Sequence, residues 1–265
     1  MPHKDSCLPV DKSLPCPRMN ANPHTRRFFV SDLSGDEAKP HPNEVHHALH
    51  VLRLKSGDEV ELFDGAGTVA TGIIGHIDRR NVVIHVADRR TCLRPPAPLI
   101  ALAFAAPKPK RIDWMVEKAT ELGAASLQRV VFDRSPPGAK TESTAKNEKM
   151  LAHCISAAKQ SGLNFLPELP PPLTLAEILT DREYSLRLLG DTGPDALQLY
   201  QAVEGASPVE SVKLLIGPEG GLTKRERDES IAAGFIPVRI ARTTLRTETA
   251  AVAMLAATVA LMQVK

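Results

Sequence analysis

The stretch Ile216-Gly217-Pro218-Glu219-Gly220-Gly221 joins a predicted strand to a predicted helix and carries the strongest functional signal in the chain. Val212–Ile216 forms the mostly apolar strand before it, and Thr223 with Glu226 forms the T-x-x-E capping box that opens the helix after it. Glycines let the backbone approach a ligand closely, and proline holds a turn rigid. Because open α/β sheets bind ligands at the carboxyl ends of their strands, we interpret this loop as a ligand site.

Strands and helices alternate through the whole second part of the chain. Leu99–Ala106 is a continuous apolar run, typical of a strand that is covered on both faces. Apolar residues then recur at helical spacing up to Gly123, and Thr247–Gln263 is a long Ala-rich helix that is apolar nearly all round. This alternation predicts an α/β domain with a mainly parallel sheet over residues 97–265.

The residues before the proline-rich segment Leu93–Pro98 have a different pattern. Short alternating segments such as Glu59–Asp64 and Thr68–Ile74 predict a small β-rich domain over residues 25–94, with one helix near residues 42–53. Residues 1–24 are predicted to form a disordered leader. Gly65-Ala66-Gly67 matches the letters of a dinucleotide fingerprint, but β-branched residues follow it, so a glycine hairpin is the favoured interpretation.

The composition narrows the possible functions. The 265 residues include 33 basic and 31 acidic side chains, so no overall positive field indicates nucleic acid. Aromatic residues make up only 4% of the chain, too few for RNA recognition that is built on stacking platforms. No apolar run is long enough to span a membrane and no signal sequence is recognisable, which predicts a cytoplasmic protein without a membrane segment.

A metal site is not expected from the sequence. The four cysteines lack the spacing of metal ligands, and His46, His47 and His50 form the one histidine cluster. His46 and His50 are one helical turn apart, but a zincin motif would need glutamate at position 47. A helix with partly exposed histidines is therefore the favoured interpretation.

Two further polar loops follow predicted strands. Leu189–Pro194 contains turn-forming residues, and Leu245–Ala250 joins a strand end to the last helix. A helix cap explains Thr247 and a dipole contact explains Glu248, but neither explains Arg246. Because strand ends of a parallel sheet meet at one edge, three such loops can converge on one pocket.

A basic run opens the first helix of the α/β domain. Lys108, Lys110 and Arg111 follow Pro107. A solvated, charged helix entrance is the ordinary explanation. The helix macrodipole disfavours cations at this end, however, so contact with RNA phosphates is an equally good explanation.

Three of these segments together resemble the bacterial 16S ribosomal RNA uridine-N3 methyltransferases of the SPOUT superfamily. The segments are Lys110–Gly123, Ile216–Gly221 and Leu245–Ala250. Arg26–Phe29 and His50–Asp58 are similar to the N-terminal domain of that family, so the resemblance covers roughly residues 26–265. It implies an N-terminal PUA-like β-barrel for RNA binding and a C-terminal α/β domain with a trefoil knot. It also implies a homodimer, S-adenosylmethionine as cofactor, and 16S rRNA in the 30S subunit as substrate.

The resemblance implies three groups of site residues. Those that enclose the cofactor are Leu189, Gly190, Asp191, Thr192, Ile216, Gly217, Pro218, Glu219, Gly220, Gly221, Ile240, Thr244 and Leu245. Those that face the methyl group and the uridine are Arg246, Glu248 and Thr249. Those that contact RNA are Arg26, Arg27, Arg53, Lys108, Lys110, Arg111 and Arg134.

The chemistry of uridine N3 gives two of these residues a role. The N3 proton has to leave, and the resulting charge spreads over O2 and O4 of the base. A guanidinium is planar, always charged and offers paired donors, so Arg246 is suited to hold those oxygens. Glu248 either accepts the proton or orients Arg246.

Two alternatives remain open at this point. Where the family shows Glu-Gln-Ser/Cys-Gly-Arg, this chain has Lys159-Gln160-Ser161-Gly162-Leu163. Because both charged positions differ, a non-catalytic RNA-binding or ribosome-assembly factor of the same fold is one alternative. The other is a SPOUT enzyme that modifies a different RNA position.

Overall fold

The structure, a computed structural model, describes residues 26–40, 44–45, 54–78, 81–94, 98–135, 139–140, 143–206 and 208–263. The chain divides into two compact units, Met1–Pro96 and Ala97–Lys265. The predicted leader lies outside the described residues, and so does most of the predicted helix 42–53 with Arg53 and the three clustered histidines.

The first unit contains a five-stranded sheet. Its strands are β1 (Arg26–Phe29), β2 (Glu37–Ala38), β3 (Glu59–Phe63), β4 (Thr68–Ile77) and β5 (Val82–Thr91). The strand order is β1-β3-β4-β5-β2, and the pairs are antiparallel except for β1 with β3. Gly65 and Gly67, with φ of 74° and 107°, connect β3 to β4 in the left-handed region that favours glycine. The glycine hairpin is thus confirmed, and no helix follows these glycines as a dinucleotide site would require.

The second unit alternates strands with helices. Its elements in chain order are β6 (Leu99–Ala105), α1 (Pro109–Glu121), β7 (Ser126–Val131), α2 (Thr144–Ser161), β8 (Leu173–Thr174), α3 (Leu175–Thr180), β9 (Leu186–Gly190), β10 (Leu197–Gln198), α4 (Leu199–Glu204), β11 (Ser211–Ile216), α5 (Lys224–Ala232), β12 (Ile236–Arg239) and α6 (Thr247–Gln263). The strands form a seven-stranded sheet in the order β10-β12-β9-β11-β6-β7-β8. Every pair in it is parallel, which confirms the predicted α/β class.

The central strands are buried on both faces, as their apolar runs predicted. Leu214 belongs to a core cluster that includes residues of α1 and α6, whereas the adjacent Leu215 belongs to a cluster with Phe235. Successive side chains of a strand point to opposite faces, so both faces of β11 require apolar cover. No described helix is both long and apolar enough to cross a membrane.

Local signals set the ends of several helices. Thr223 and Glu226 form the predicted capping box at the start of α5, in which the Thr223 hydroxyl accepts from the Glu226 backbone N–H. Gly123 follows the end of α1 with a φ of 79°. The last helix, α6, has the bounds that the sequence predicted.

Candidate functional site

A pocket of about 270 Å³ lies at the carboxyl edge of the parallel sheet. Gly190 at the end of β9 pairs with Ile216 of β11 on one side and with Val238 of β12 on the other. The loops that follow these three strands therefore start side by side. Together with the first two turns of α6 they line the cavity, which we call the strand-end pocket.

The strand-end pocket brings together most of the residues predicted to bind the cofactor. Those that line it are Gly190, Asp191, Thr192, Ile216, Gly217, Pro218, Glu219, Gly221, Ile240, Thr244 and Leu245. Gly220 does not line it and lies against Arg134. The side chain of Leu189 is fully buried in the core cluster on the other face of the sheet. Strand alternation turns this side chain away from that of its neighbour Gly190, and the cofactor contact of Leu189 stays a prediction.

The pocket also contains residues that the sequence analysis missed. Leu222, Val238 and Met254 add apolar surface, and Arg227 of α5 adds a cation. Met254 follows Arg246 and Ala250 at intervals of four residues, so the helical spacing of α6 was an available signal. Arg227 had no comparable signal, because only the packing of α5 against the strand ends brings it to the pocket.

The glycine loop after β11 is held by side chains from three other segments of the chain. Arg134, which follows β7, donates to the carbonyl oxygens of Gly220 and Gly221. Thr247 of α6 donates from its hydroxyl to the carbonyl of Gly217 at 3.2 Å. The third contact comes from Arg111 of α1, whose Nη1 donates to Glu219 Oε1 at 2.6 Å.

Close packing explains why this loop contains glycine. A Cβ atom at Gly217 would lie 3.2 Å from the side chain of Leu222. Gly221 has a φ of 71°, a conformation that other residues rarely adopt. The loop therefore requires glycine at both positions, for space at Gly217 and for backbone conformation at Gly221.

A second, more open depression of about 310 Å³ lies beside the strand-end pocket. It shares Glu219, Thr244 and Leu245 with the pocket and adds three cationic side chains, those of Lys108, Arg111 and Arg246. We call it the basic groove. It unites two residues that were predicted to bind RNA with the arginine that was predicted to contact the uridine.

Glu248 is a buried acid that contacts Arg111 of the basic groove. Its residue is only 8% exposed, and Oε1 lies 3.5 Å from Arg111 Nε. Oε2 is buried and has no hydrogen-bond partner among the residues that the structure describes. The other two predicted catalytic residues, Arg246 and Thr249, lie on either side of Glu248 in the sequence, and both are exposed.

The predicted RNA contacts have different environments. Arg26, Lys108 and Lys110 are exposed. Arg27, by contrast, is only 7% exposed. Its Nε lies 2.8 Å from Glu61 Oε1, and its guanidinium lies 4.1 Å from the centroid of the Phe63 ring. The RNA assignment of Arg27 is therefore corrected, because this guanidinium is used inside the β-rich unit. In the described part of the chain, no group of three or more His, Cys, Asp or Glu side chains is arranged to hold a metal ion.

Comparison with known families agrees with the fold. A family model described as an RNA methyltransferase domain matches residues 95–259, more than half of the chain. A second model, described as an RNA methyltransferase PUA domain, matches residues 42–87. Fold and family models thus define an RNA methyltransferase.

Individual relatives narrow this class. Ribosomal RNA small subunit methyltransferase E of Mycobacterium bovis is 30% identical over 87% of this chain and 89% of its own length. The protein of the same name from Synechocystis is 29% identical over 83% of this chain and 72% of its own length. The crystal structure of ribosomal RNA small subunit methyltransferase E from Neisseria gonorrhoeae, bound to S-adenosyl methionine, has a TM-score of 0.75. It is 27% identical and covers 91% of this chain and 98% of that one. The chain belongs to the ribosomal RNA small subunit methyltransferase E family.

Proposed function

We propose that this protein transfers a methyl group from S-adenosylmethionine to N3 of a uridine in 16S rRNA, with the 30S subunit in the cytoplasm as its substrate. The observation that carries this proposal is the contact between the two cavities. The strand-end pocket and the basic groove share Glu219, Thr244 and Leu245. A methyl donor in the pocket would therefore lie directly beside an RNA strand in the groove.

The strand-end pocket fits S-adenosylmethionine in its chemistry. Ile216, Val238 and Met254 provide apolar surface for a purine ring. Asp191 and Glu219 provide carboxylates for hydroxyl and ammonium groups. When bound, the cofactor supplies an activated methyl group, and the residues of the chain bind it and exclude water.

In this proposal Arg246 stabilises the uracil anion. Its side chain is exposed in the basic groove, and its carbonyl accepts the helical hydrogen bond from Ala250 N at 2.8 Å. The first turn of α6 thus fixes the backbone position from which the Arg246 side chain extends. Preorganised donors of this kind stabilise charge as it develops on O2 and O4.

Glu248 is proposed to accept the N3 proton. A buried acceptor without a partner costs about 1–3 kcal/mol, which a hydrogen bond from the substrate N–H would offset. Among the described residues the ion pair of Glu248 is with Arg111, and Arg246 makes none with it. This favours the role of proton acceptor over that of a residue that orients Arg246. Thr249, exposed in the first turn of α6, belongs to the same site in this proposal.

The remaining parts of the proposal concern the whole protein. The PUA-like unit binds RNA together with the exposed Lys108 and Lys110, because basic side chains supply most of the sequence-independent affinity. The α/β unit has the trefoil knot that the family resemblance implies, and two copies associate through it. Support for association comes from α6, whose apolar Val252 and Val259 are only partly buried.

Single-turnover methylation of 30S subunits, with mapping of the modified base, tests the proposed function. We expect 3-methyluridine at one position, and Arg246→Ala should lower the rate by about 100- to 1,000-fold while cofactor affinity is kept. Arg246→Lys should restore little, because one ammonium does not reproduce the planar fork. Arg242→Ala is the matched control, since Arg242 is exposed in the same loop and lines neither cavity.

Each contrary outcome has a definite meaning. A folded Arg246→Ala protein with a near-normal rate would remove the catalytic role of this residue. Wild-type protein that fails to bind S-adenosylmethionine in a calorimetric titration would point to a non-catalytic assembly factor. Methylation mapped to another kind of nucleotide position would point to a different RNA specificity.

A further inference from the structure

One arginine of α5 joins two carboxylates beside the strand-end pocket. Arg227 Nε donates to Asp191 Oδ2 at 2.7 Å, and Arg227 Nη2 donates to Asp195 Oδ1 at 2.5 Å. Both carboxylates lie in the loop between β9 and β10. Arg227 and Asp191 line the pocket, whereas Asp195 does not. We call these three residues the Arg227 cluster.

The cluster ranges from partly buried to exposed. The side chain of Asp191 is 13% exposed, that of Arg227 is 25% exposed and that of Asp195 is 59% exposed. The hydrogen bond from Arg227 lowers the pKa of Asp195. The hydrogen bonds to Asp195 and Asp191 raise the pKa of Arg227.

The carboxylate of Asp191 is fixed from two sides. Its Oδ1 accepts from the backbone N–H groups of Thr192, at 2.8 Å, and Gly193, at 3.2 Å. Its Oδ2 accepts from Arg227. A carboxylate offers about four acceptor positions, so one position remains for a ligand in the pocket.

Gly193 provides a second, independent observation. A Cβ atom at this position would lie 2.9 Å from Asp195 Oδ1 and 3.0 Å from both Arg227 Nη2 and Asp191 Oδ2. Its φ is not in the left-handed region, so the backbone itself does not require glycine. The missing side chain is what makes room for the charged ends of the cluster.

We infer that Arg227 is a positioning residue for the methyl donor, because it holds the Asp191 carboxylate ready to accept from a hydroxyl or ammonium group of S-adenosylmethionine. This inference rests on the proposed function. Partners that orient a ligand-binding group contribute to affinity because the group does not have to be ordered when the ligand binds.

Equilibrium titration with S-adenosylmethionine and with its demethylated product tests this role in the full-length protein. We expect Arg227→Gln to weaken both ligands by about 10-fold or more. In steady-state methylation, KM for the cofactor should rise while kcat at saturation stays near that of the wild type. Arg227→Lys should restore thermal stability but not affinity, because one ammonium cannot bond both carboxylates in this geometry.

Arg225→Gln is the matched control for loss of an arginine. Arg225 lies on the same helix, is paired with Asp133 and Glu229, and does not line the pocket. Its replacement should leave the affinity for both ligands unchanged. A loss of affinity in the Arg227→Gln protein would then be caused by the change in the Arg227 cluster and not by a general loosening of α5.

Two more variants separate positioning from direct contact. Asp195→Asn should weaken cofactor binding although Asp195 lies outside the pocket. In combination with Arg227→Gln, it should cause no further loss of cofactor affinity. Gly193→Ala should act like Arg227→Gln, because the added methyl group displaces the flexible ends of the cluster.

The outcomes distinguish this inference from the proposed function. Wild-type protein that binds neither ligand would overturn both. If the wild-type, Arg227→Gln and Gly193→Ala proteins all bind both ligands equally well, only the role of Arg227 is overturned. Lower melting temperatures at unchanged affinity would show that the cluster is merely structural.

Discussion

Glu248 illustrates at the scale of one residue how a fold prepares a charged group for chemistry. Residues in the first turn of a helix are favoured when they are acidic, and Glu248 lies in the first turn of α6. The same position buries the carboxylate and leaves Oε2 without a partner among the described residues. A carboxylate that is incompletely bonded is suited to accept a proton from a substrate.

The first prediction at this scale concerns Glu248→Gln. Loss of a general base typically lowers a rate by 100-fold or more, so we expect a single-turnover rate on 30S subunits that is lower by about that factor. Affinity for S-adenosylmethionine should be kept, because Glu248 does not line the strand-end pocket. An unchanged single-turnover rate at saturating cofactor would rule out the proposed role.

The second prediction at this scale concerns the corrected residue Arg27. Arg27 and Glu61 are 7% and 3% exposed. Removal of one member of a buried ion pair leaves the charge of the other member buried and uncompensated. We expect Arg27→Ala to lower the free energy of unfolding by about 3–5 kcal/mol. Arg26→Ala, at the exposed neighbouring position, should change it little. Equal denaturation midpoints for the two variants would contradict this expectation.

At the scale of an element, the start of α5 is tied to the end of β7. Glu226 is 1% exposed, and its carboxylate accepts from the backbone N–H of Thr223 at 2.8 Å and from that of Asp133 at 2.7 Å. The neighbouring Arg134 holds the glycine loop. The buried Glu226 carboxylate therefore connects the N-terminal cap of α5 to the segment after β7 that holds the glycine loop of the pocket.

We predict that Glu226→Ala lowers both stability and cofactor affinity. The variant leaves the Thr223 and Asp133 N–H groups without their acceptor, which should cost on the order of 2 kcal/mol or more in urea denaturation. Glu177→Ala is the control, since Glu177 completes a similar capping box with Thr174 at the start of α3, where no residue lines the strand-end pocket. Weakened binding in Glu177→Ala as well would show that affinity follows stability in general.

At the scale of the whole molecule, α6 indicates a surface that needs a partner. One side of the helix packs in the core through Ala251, Met254 and Leu255. Val252 and Val259 lie towards another side of the helix and are only partly buried, although they are as apolar as the core residues. An apolar helix that is covered on one side is typical of an interface.

We therefore expect sedimentation equilibrium at micromolar concentration to show a dimer. Val252→Glu with Val259→Glu should shift the protein towards monomer, because charges are costly inside an apolar interface. The exposed pair Lys224 and Asp228 on α5 provides sites for control substitutions. A wild-type protein that remains monomeric would contradict the proposed association.

The sequence by itself determined the features that depend on neighbouring residues. The apolar run of β6 predicted a strand covered on both faces, and the capping box at Thr223 and the bounds of α6 were predicted correctly. Turn chemistry also marked the loops that line the strand-end pocket. These features follow from side-chain periodicity and local hydrogen bonds, which are encoded within a few residues.

Only the tertiary structure decided which distant residues meet. Strand pairing in the order β12-β9-β11 places Gly190, Ile216 and Val238 at one edge, and Arg111 reaches Glu219 across 108 positions of sequence. Arg27 carried the same local pattern as the exposed Arg26, yet pairing of β1 with β3 placed it beside Glu61. Arg227 came to the pocket through the packing of α5. Such contacts depend on the order in which strands pair and helices pack, and no short stretch of sequence encodes that order.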